Sequence, residues 1–159
     1  MLKSLNILGD GTPLYLPGAK LRYFESFFNK NEADDYFSQI LDTTVWQQDK
    51  IKVYGKTYMQ PRLTALYANN TIPYSYSGIK MYPEKMTHLL SEIQNRVHKV
   101  SNTIFSTVLI NQYRDGNDSN GWHADNEKEL GKNPVIASVS FGSDRFFHLK
   151  HRAVSYTHL

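Results

Sequence analysis

His123-Ala124-Asp125 sets an imidazole and a carboxylate two residues apart. In an extended segment such a pair projects to one side. One ring nitrogen and one carboxylate oxygen are two thirds of the 2-His-1-carboxylate arrangement, which holds non-haem Fe(II) and leaves coordination positions open. The tripeptide alone is unspecific, since short runs of common residues recur by chance on surface turns. Asn117-Asp118-Ser119-Asn120-Gly121, just before it, consists of turn formers and favours that bland reading. The chain has no Cys, so disulfides and thiolate metal sites are excluded and a metal must be held by His and carboxylates. A third ligand on this plan is a His, and His88, His98, His148, His151 and His158 are the remaining ones. His88 and His98 lie in a helical pattern and read as surface residues. His148 alternates with Phe147 and Leu149 and points away from them. None is assigned.

Other elements must carry this pair. Asn111 and Tyr113 stand at i and i+2 of a β-rich run over 107–113, which puts both side chains on one face. The unaided reading is a half-exposed strand in which they alternate with Ile110 and Gln112. Further strand candidates are 14–16, closed by Pro17-Gly18, then 51–58, 65–67 and 74–76, and after them 135–141 and 145–150. Asn31 is a cap for a helix running to about Leu41, with Tyr36, Phe37, Ile40 and Leu41 as its apolar face. A second helix places Pro83 in its first turn and repeats Met86, Leu89, Leu90, Ile93 and Val97 at helical spacing. Helices first and antiparallel strands after them predict an α+β domain.

At 159 residues the chain is long enough for one domain with a real core. Its apolar fraction of 40% is globular; aromatics are plentiful, with eleven Tyr and eight Phe, and sheet packing accounts for most of the Tyr. A net charge of +3 is compatible with a polyanionic partner without demonstrating one. No apolar run reaches membrane-spanning length, and Met1-Leu2-Lys3-Ser4-Leu5-Asn6 lacks the apolar core of a signal peptide. The default expectation is an intracellular, cytoplasmic monomer that is not secreted and has no membrane partner.

A longer pattern surrounds the metal pair. It comprises Leu109-Ile110-Asn111-Gln112-Tyr113-Arg114-Asp115-Gly116, Trp122-His123-Ala124-Asp125-Asn126-Glu127, and the run 134–142 ending in Ser140-Phe141-Gly142. With Val53-Tyr54-Gly55-Lys56, Pro61-Arg62, Tyr74-Ser75-Tyr76-Ser77-Gly78 and Asp144-Arg145-Phe146-Phe147, it resembles the AlkB family in one order over roughly 13–152. These are Fe(II)- and 2-oxoglutarate-dependent dioxygenases that oxidatively remove alkyl groups from nucleobases, and the likeness is greatest to the branch acting on DNA. The resemblance implies a double-stranded β-helix (jelly roll) with helices packed on one face. It implies Fe(II), 2-oxoglutarate and O2 as cofactor and co-substrates, with alkylated DNA, or RNA, as partner. His123 and Asp125 would be catalytic metal ligands, and Asn111 and Tyr113 would hydrogen-bond 2-oxoglutarate. Tyr74-Ser75-Tyr76 matches the lid of the base pocket, where a flipped base must be stacked. Glu127 matches an acidic position that reads the alkylated base, and Asn126 departs from the Asp often found there. Tyr54-Gly55-Lys56 resembles the hairpin whose aromatic finger fills the gap left by a flipped base, with flanking Lys residues meeting phosphates. Without the resemblance, that segment is equally an amphipathic hairpin with a solvated Lys face.

In the family, the strand matching 145–150 is followed by about half of the jelly roll again. That stretch carries the distal His ligand and the Arg residues that grip 2-oxoglutarate. Here Ala153-Val154-Ser155-Tyr156-Thr157-His158-Leu159 follows and does not resemble it, while Arg145 and Arg152 are the Arg residues present after the metal motif. The expectation is a lead-in over 1–12, an AlkB-like domain with its C-terminal part missing over 13–152, and a foreign tail over 153–159. As written, such a chain is expected to be a poor enzyme. Two further readings stand beside oxidative demethylation: a 2-oxoglutarate dioxygenase acting on a non-nucleic-acid substrate, and a catalytically inactive nucleic-acid-binding fragment.

Overall fold

A computed structural model describes residues 2–3, 8–76, 79–125, 130–151 and 157–158 of the chain, and at residues 2, 3, 53, 74–76, 79, 80, 157 and 158 the backbone alone. In chain order come β1 (Leu2–Lys3), β2 (Leu14–Leu16), β3 (Ala19–Leu21), α1 (Lys30–Thr43), β4 (Lys50–Val53), β5 (Lys56–Met59) and β6 (Leu63–Ala68). There follow β7 (Tyr74–Tyr76), β8 (Ile79–Met81), β9 (Glu84–Lys85), α2 (His88–Ser101), β10 (Thr107–Gln112), β11 (Leu149–Lys150) and β12 (Thr157–His158). They divide into two compact units, Met1–Leu41 with Ser140–Leu159, and Asp42–Val139.

The first unit is built on aromatic packing. Phe28 and Tyr36 are buried, and their rings meet each other and Phe141 at centroid distances of 5.2, 5.5 and 6.1 Å. These tilted and edge-on contacts are the favoured arrangements of ring quadrupoles. Helix α1 starts two residues earlier than the sequence reading placed it. Asn29 Oδ1 accepts from the Glu32 backbone N–H at 3.0 Å while the Glu32 carboxylate accepts from the Asn29 N–H at 3.0 Å. That reciprocal pair is a capping box, and it outcompetes Asn31, which has no Glu or Gln at the required offset. The apolar face is also narrower than expected: Tyr36 is buried, but Phe37 and Leu41 are exposed. β2 and β3 form a hairpin closed at Pro17-Gly18, as the turn residues predict. Strands β1 and β11 both pair with β12, in parallel and antiparallel sense respectively.

The second unit centres on β6. It pairs along its edges with β10, antiparallel, and at Tyr67 and Ala68 with β9, parallel. Five consecutive residues, from Thr64 to Ala68, are buried, so both faces of the strand are covered, and such a strand reads as near-continuous apolar sequence rather than as alternation. Leu90 and Ile93 of α2 are buried with Met81. Pro83 lies outside that helix, in the turn before β9; the N-cap is Thr87, whose hydroxyl accepts from the Leu90 N–H at 3.2 Å. At the other end Asn102 takes the left-handed conformation and its N–H returns to the His98 carbonyl at 2.9 Å. His98 is not a surface residue. Its Nε2 accepts from the Phe105 N–H at 2.8 Å, and the Gln94 amide donates to the Phe105 carbonyl at 2.9 Å. Both polar groups of one peptide residue are thus tied to α2, which fixes where the chain enters β10.

The described residues form an α+β structure, with two helices and short sheets among them. The strand expected over 135–141 does not form, and of 145–150 only Leu149–Lys150 is paired. Val135, Ile136 and Val139 have the branched side chains of a strand and are exposed. β propensity expresses fit to a pleated, half-buried surface, and among the described residues no neighbouring strand supplies one.

Candidate functional site

β10 runs opposite β6 with Asn111 across from Thr64 and Gln112 across from Leu63, and Tyr113 is the first residue beyond the ladder. Cross-strand neighbours share a face, so Asn111 stands with Thr64, which is itself buried and donates to the Asp49 carboxylate at 3.2 Å. Asn111 Oδ1 is buried with no hydrogen-bond partner. A buried orphan of this kind costs about 1–3 kcal/mol unless something polar meets it. Rotating the amide presents its N–H2 to the same place. Tyr113 is half-buried.

From Tyr113 the chain leaves the sheet in a loop with an internal brace. The Arg114 guanidinium donates from Nε to Asp118 Oδ2 at 2.7 Å and from Nη2 to Asp118 Oδ1 at 2.9 Å, and the Arg114 backbone N–H donates to Oδ2 at 2.9 Å. The carboxylate hydrogen-bonded to it raises the Arg114 pKa further above its high ordinary value. Asp118 is 5% exposed. It had read as one of five turn formers; the signal available was an Arg and an Asp four residues apart, the spacing of a fork closing on its own loop. Next to it, the Ser119 N–H donates to the Pro61 carbonyl at 2.8 Å, tying the loop to the segment that leads into β6.

This brace leads into the H-x-D tripeptide, whose two side chains converge: His123 Nε2 lies 3.6 Å from Asp125 Oδ1. His123 Nδ1 is 2.8 Å from the Gly121 carbonyl. A carbonyl only accepts, so Nδ1 carries the hydrogen, and in the neutral ring Nε2 is left as a lone pair facing a carboxylate oxygen. Two acceptors at that separation repel unless a proton or a cation stands between them. Two donors bound to one ion at about 2.1 Å each can lie no more than about 4.2 Å apart, so 3.6 Å admits a shared ion. An outer Nδ1–H bond to a carbonyl is the support that metal-ligating His residues use. The donors, one imidazole and one carboxylate, are of the kind that suits Fe(II). Among the described residues no third His, Cys, Asp or Glu joins them.

Tyr54 and Gly55 form the two-residue turn between β4 and β5, with φ of 47° and 79°. Positive φ at both positions marks the turn whose twist matches a hairpin. Gly adopts it freely, whereas an aromatic residue there is strained by about 1 kcal/mol. The Tyr54 side chain is fully exposed and Lys56 is exposed beside it. Tyr74, Ser75 and Tyr76 form β7, which pairs with β8. Asn126 and Glu127 lie outside the described residues, as does Arg152. The structure thus brings His123 and Asp125 together and sets Asn111 and Tyr113 directly before their loop. Sequence reasoning had missed the Arg114–Asp118 fork, the Gly121 carbonyl and the buried Asn111 orphan.

The family model of the 2OG-Fe(II) oxygenase superfamily matches residues 20–157. The chain is 38% identical over 130 residues to human alpha-ketoglutarate-dependent dioxygenase alkB homolog 3, which covers 81% of this chain and 45% of the relative. It is 36% identical over 128 residues to the human DNA oxidative demethylase ALKBH2, covering 79% and 49%. The Arabidopsis thaliana protein of the latter name is 34% identical over 145 residues, covering 85% and 44%. The chain spans about half the length of the curated relatives it matches. These relatives bear out the AlkB resemblance read from the motifs. A match running through the hairpin, β6, β10 and the converging His–Asp pair leaves one assignment: the chain belongs to the 2OG-Fe(II) oxygenase superfamily, whose chemistry requires Fe(II), 2-oxoglutarate and O2.

Proposed function

We propose that the protein oxidatively demethylates N-alkylated nucleobases in DNA, with RNA as a further substrate, on a double-stranded β-helix scaffold. The observation that carries the reading is the His123–Asp125 pair, two acceptors held 3.6 Å apart with the outer ring nitrogen already tied back. The relatives that share this stretch are named as dioxygenases and DNA demethylases. In this reading His123 Nε2 and Asp125 hold Fe(II), while Asn111 and Tyr113 hydrogen-bond 2-oxoglutarate. Bound there, the metal with 2-oxoglutarate and O2 supplies oxidation of the N-alkyl carbon, giving succinate, CO2 and, from the hydroxylated product, formaldehyde. The chain contributes placement. Asn111 offers a buried amide whose orphan end is satisfied by a polar co-substrate. The Arg114–Asp118 fork keeps the metal loop in register with β10. Tyr74, Ser75 and Tyr76 cover the flipped base, Asn126 and Glu127 read its edge, and Tyr54 with Gly55 and Lys56 enters the space it vacates.

The test is formaldehyde and succinate release from an alkylated oligonucleotide by the intact natural protein, with Fe(II) or 2-oxoglutarate withheld in turn. Release that needs both and the alkyl group supports the reading. Succinate without any response to the oligonucleotide points to another substrate, and salt-sensitive DNA binding without succinate points to a binding protein.

The base-pocket assignment carries its own prediction. Tyr76→Ala, and more weakly Tyr74→Ala, lowers affinity for alkylated DNA by roughly five- to a hundredfold, the range of a lost base–aromatic stack, and leaves iron affinity alone. Unchanged DNA affinity in both variants makes these tyrosines packing residues. Tyr54→Ala costs repair of duplex more than repair of single strands; equal losses on the two contradict a finger.

A further inference from the structure

Asn120-Gly121 lies between the Arg114–Asp118 fork and the metal pair, and it is the one Asn-Gly in the chain. Asn is thermolabile because the backbone nitrogen of the next residue can attack its side-chain amide carbon and close a succinimide ring. A Gly in that next position leaves the approach unhindered. Asn120, Gly121 and Trp122 are all exposed, so water reaches this stretch. A Cβ built on Gly121 meets nothing within 4 Å, and among the described residues no backbone hydrogen bond uses the Gly121 N–H. The chain's Asp-Gly pairs differ. Gly11 has its N–H committed to the Tyr23 carbonyl at 2.7 Å. At Asp115-Gly116 the electrophile is a carboxylate, poorer than an amide, and its Oδ1 already accepts from the Asn117 N–H at 2.8 Å.

The backbone at this point supports the metal pair. The Gly121 carbonyl lies 2.8 Å from His123 Nδ1 and holds the ring with Nε2 toward Asp125. Upstream, the Ser119 N–H is fixed to the Pro61 carbonyl at 2.8 Å. Rerouting the main chain through Cβ of residue 120 inserts one C–C bond, about 1.5 Å, between these two anchors. Because Ser119 is pinned, the added length is passed downstream, onto the Gly121 carbonyl.

We propose that Asn120 is a site of spontaneous deamidation whose isoaspartyl product uncouples the His123 ring from the Gly121 carbonyl and so weakens metal binding. The Gly121 nitrogen attacks Asn120 Cγ; the N–Cγ bond forms, the Cγ–Nδ2 bond breaks, and ammonia leaves with the proton of the Gly121 N–H. Water then opens the succinimide. Cleavage at Cγ gives Asp with the original backbone, and cleavage at the main-chain carbonyl gives isoaspartate with the backbone running through Cβ. One water is consumed, one ammonia is released, and nothing is oxidised or reduced. The effect on metal rests on the Fe(II) reading above; the modification itself does not.

The experiment incubates the intact natural protein, metal-free, in warm and mildly alkaline buffer. Peptide mass spectrometry follows the amide-to-acid change at residue 120, and an isoaspartyl methyltransferase with labelled methyl donor follows the isoaspartate. Mn(II) and Co(II) titrations of the same samples read the metal site. Isoaspartate is expected to accumulate at residue 120 ahead of the other Asn positions, and the modified fraction to bind metal roughly 10–100-fold more weakly, the range for lost outer support. Asn120→Gln, whose longer side chain must close a larger ring, should keep its metal affinity through the incubation. Asn120→Asp, measured fresh, carries the new charge on an unaltered backbone and should bind metal at least as well as wild type. An Asn120 that stays intact while other Asn residues convert overturns the site. Isoaspartate at residue 120 with unchanged metal affinity, or an equal loss of affinity in incubated Asn120→Gln, overturns the uncoupling. If fresh wild type binds neither Mn(II) nor Co(II), the Fe(II) reading falls and takes the uncoupling with it, while isoaspartate at residue 120 still upholds the modification.

Discussion

In the intact natural protein, His123→Ala and Asp125→Ala are each expected to abolish iron-dependent conversion of 2-oxoglutarate to succinate. Each substitution leaves one donor where the structure sets two at 3.6 Å. Loss of an outer partner that merely orients a ligand costs roughly 10–100-fold, so loss of a ligand itself exceeds that range. The two side chains are partly open to solvent, at 40% and 35% exposure, and neither is among the buried residues that hold the sheet together. Melting of the metal-free variants should therefore match wild type. That pairing, lost turnover with an unchanged melting temperature, is what a metal site predicts and a structural ion pair does not. Binding of Mn(II) or Co(II) in place of iron, followed spectroscopically in the intact protein, provides a second readout and should weaken in both variants. Substantial turnover in either would remove the metal assignment.

Much of the local structure was legible because it depends on neighbours in sequence. α2 announced itself by the spacing of Leu90, Ile93 and Val97, whereas the run 51–58, which reads as one strand candidate, folds back at Tyr54-Gly55 into the β4–β5 hairpin that the family resemblance implied. The start of α1 was misplaced by two residues because two Asn stand close together, and the Glu three residues after Asn29 decides between them. The run 135–141 failed for a different reason. Its composition suits a strand, but a strand exists only when another backbone completes its hydrogen bonds. Sequence carries propensity and not partners, so β6, which has two partners, formed longer than expected, while 135–141 did not form.

The site divides along the same line. The convergence of His123 and Asp125 follows from two-residue spacing and was available at once. What holds that convergence in place was not. Asp118 is polar, lies among turn formers and looks solvated, yet it is buried, because the loop backbone and the solvent-facing guanidinium four residues earlier satisfy both of its carboxylate oxygens. Asn111 looked like an alternating strand residue, and only the register against Thr64 exposes its buried, unmet oxygen.

Asp118→Ala is the second substitution expected to have a large effect, and it acts on both stability and metal binding. It removes three charge-assisted bonds to a carboxylate that is 7% exposed at its side chain and leaves the Arg114 backbone N–H without its partner. Net values for hydrogen bonds to charged groups, scaled to a chain of this length, correspond to a fall in melting temperature of about 4–8 °C. Because the fork closes the loop between Tyr113 and Ser119, and Ser119 anchors that loop to Pro61, the loosened segment also carries Gly121 and His123 away from Asp125. Affinity for iron should then drop by roughly 10–100-fold, the range for lost outer support. Asp118→Asn retains the bond from the Arg114 N–H and one side-chain contact, so it should fall between wild type and Asp118→Ala in both measurements. A melting curve and a metal titration on the same preparations decide the matter. If Asp118→Ala melts with wild type and binds metal equally well, the fork is an incidental contact, and the alignment of His123 with Asp125 must be held by the Gly121 carbonyl alone.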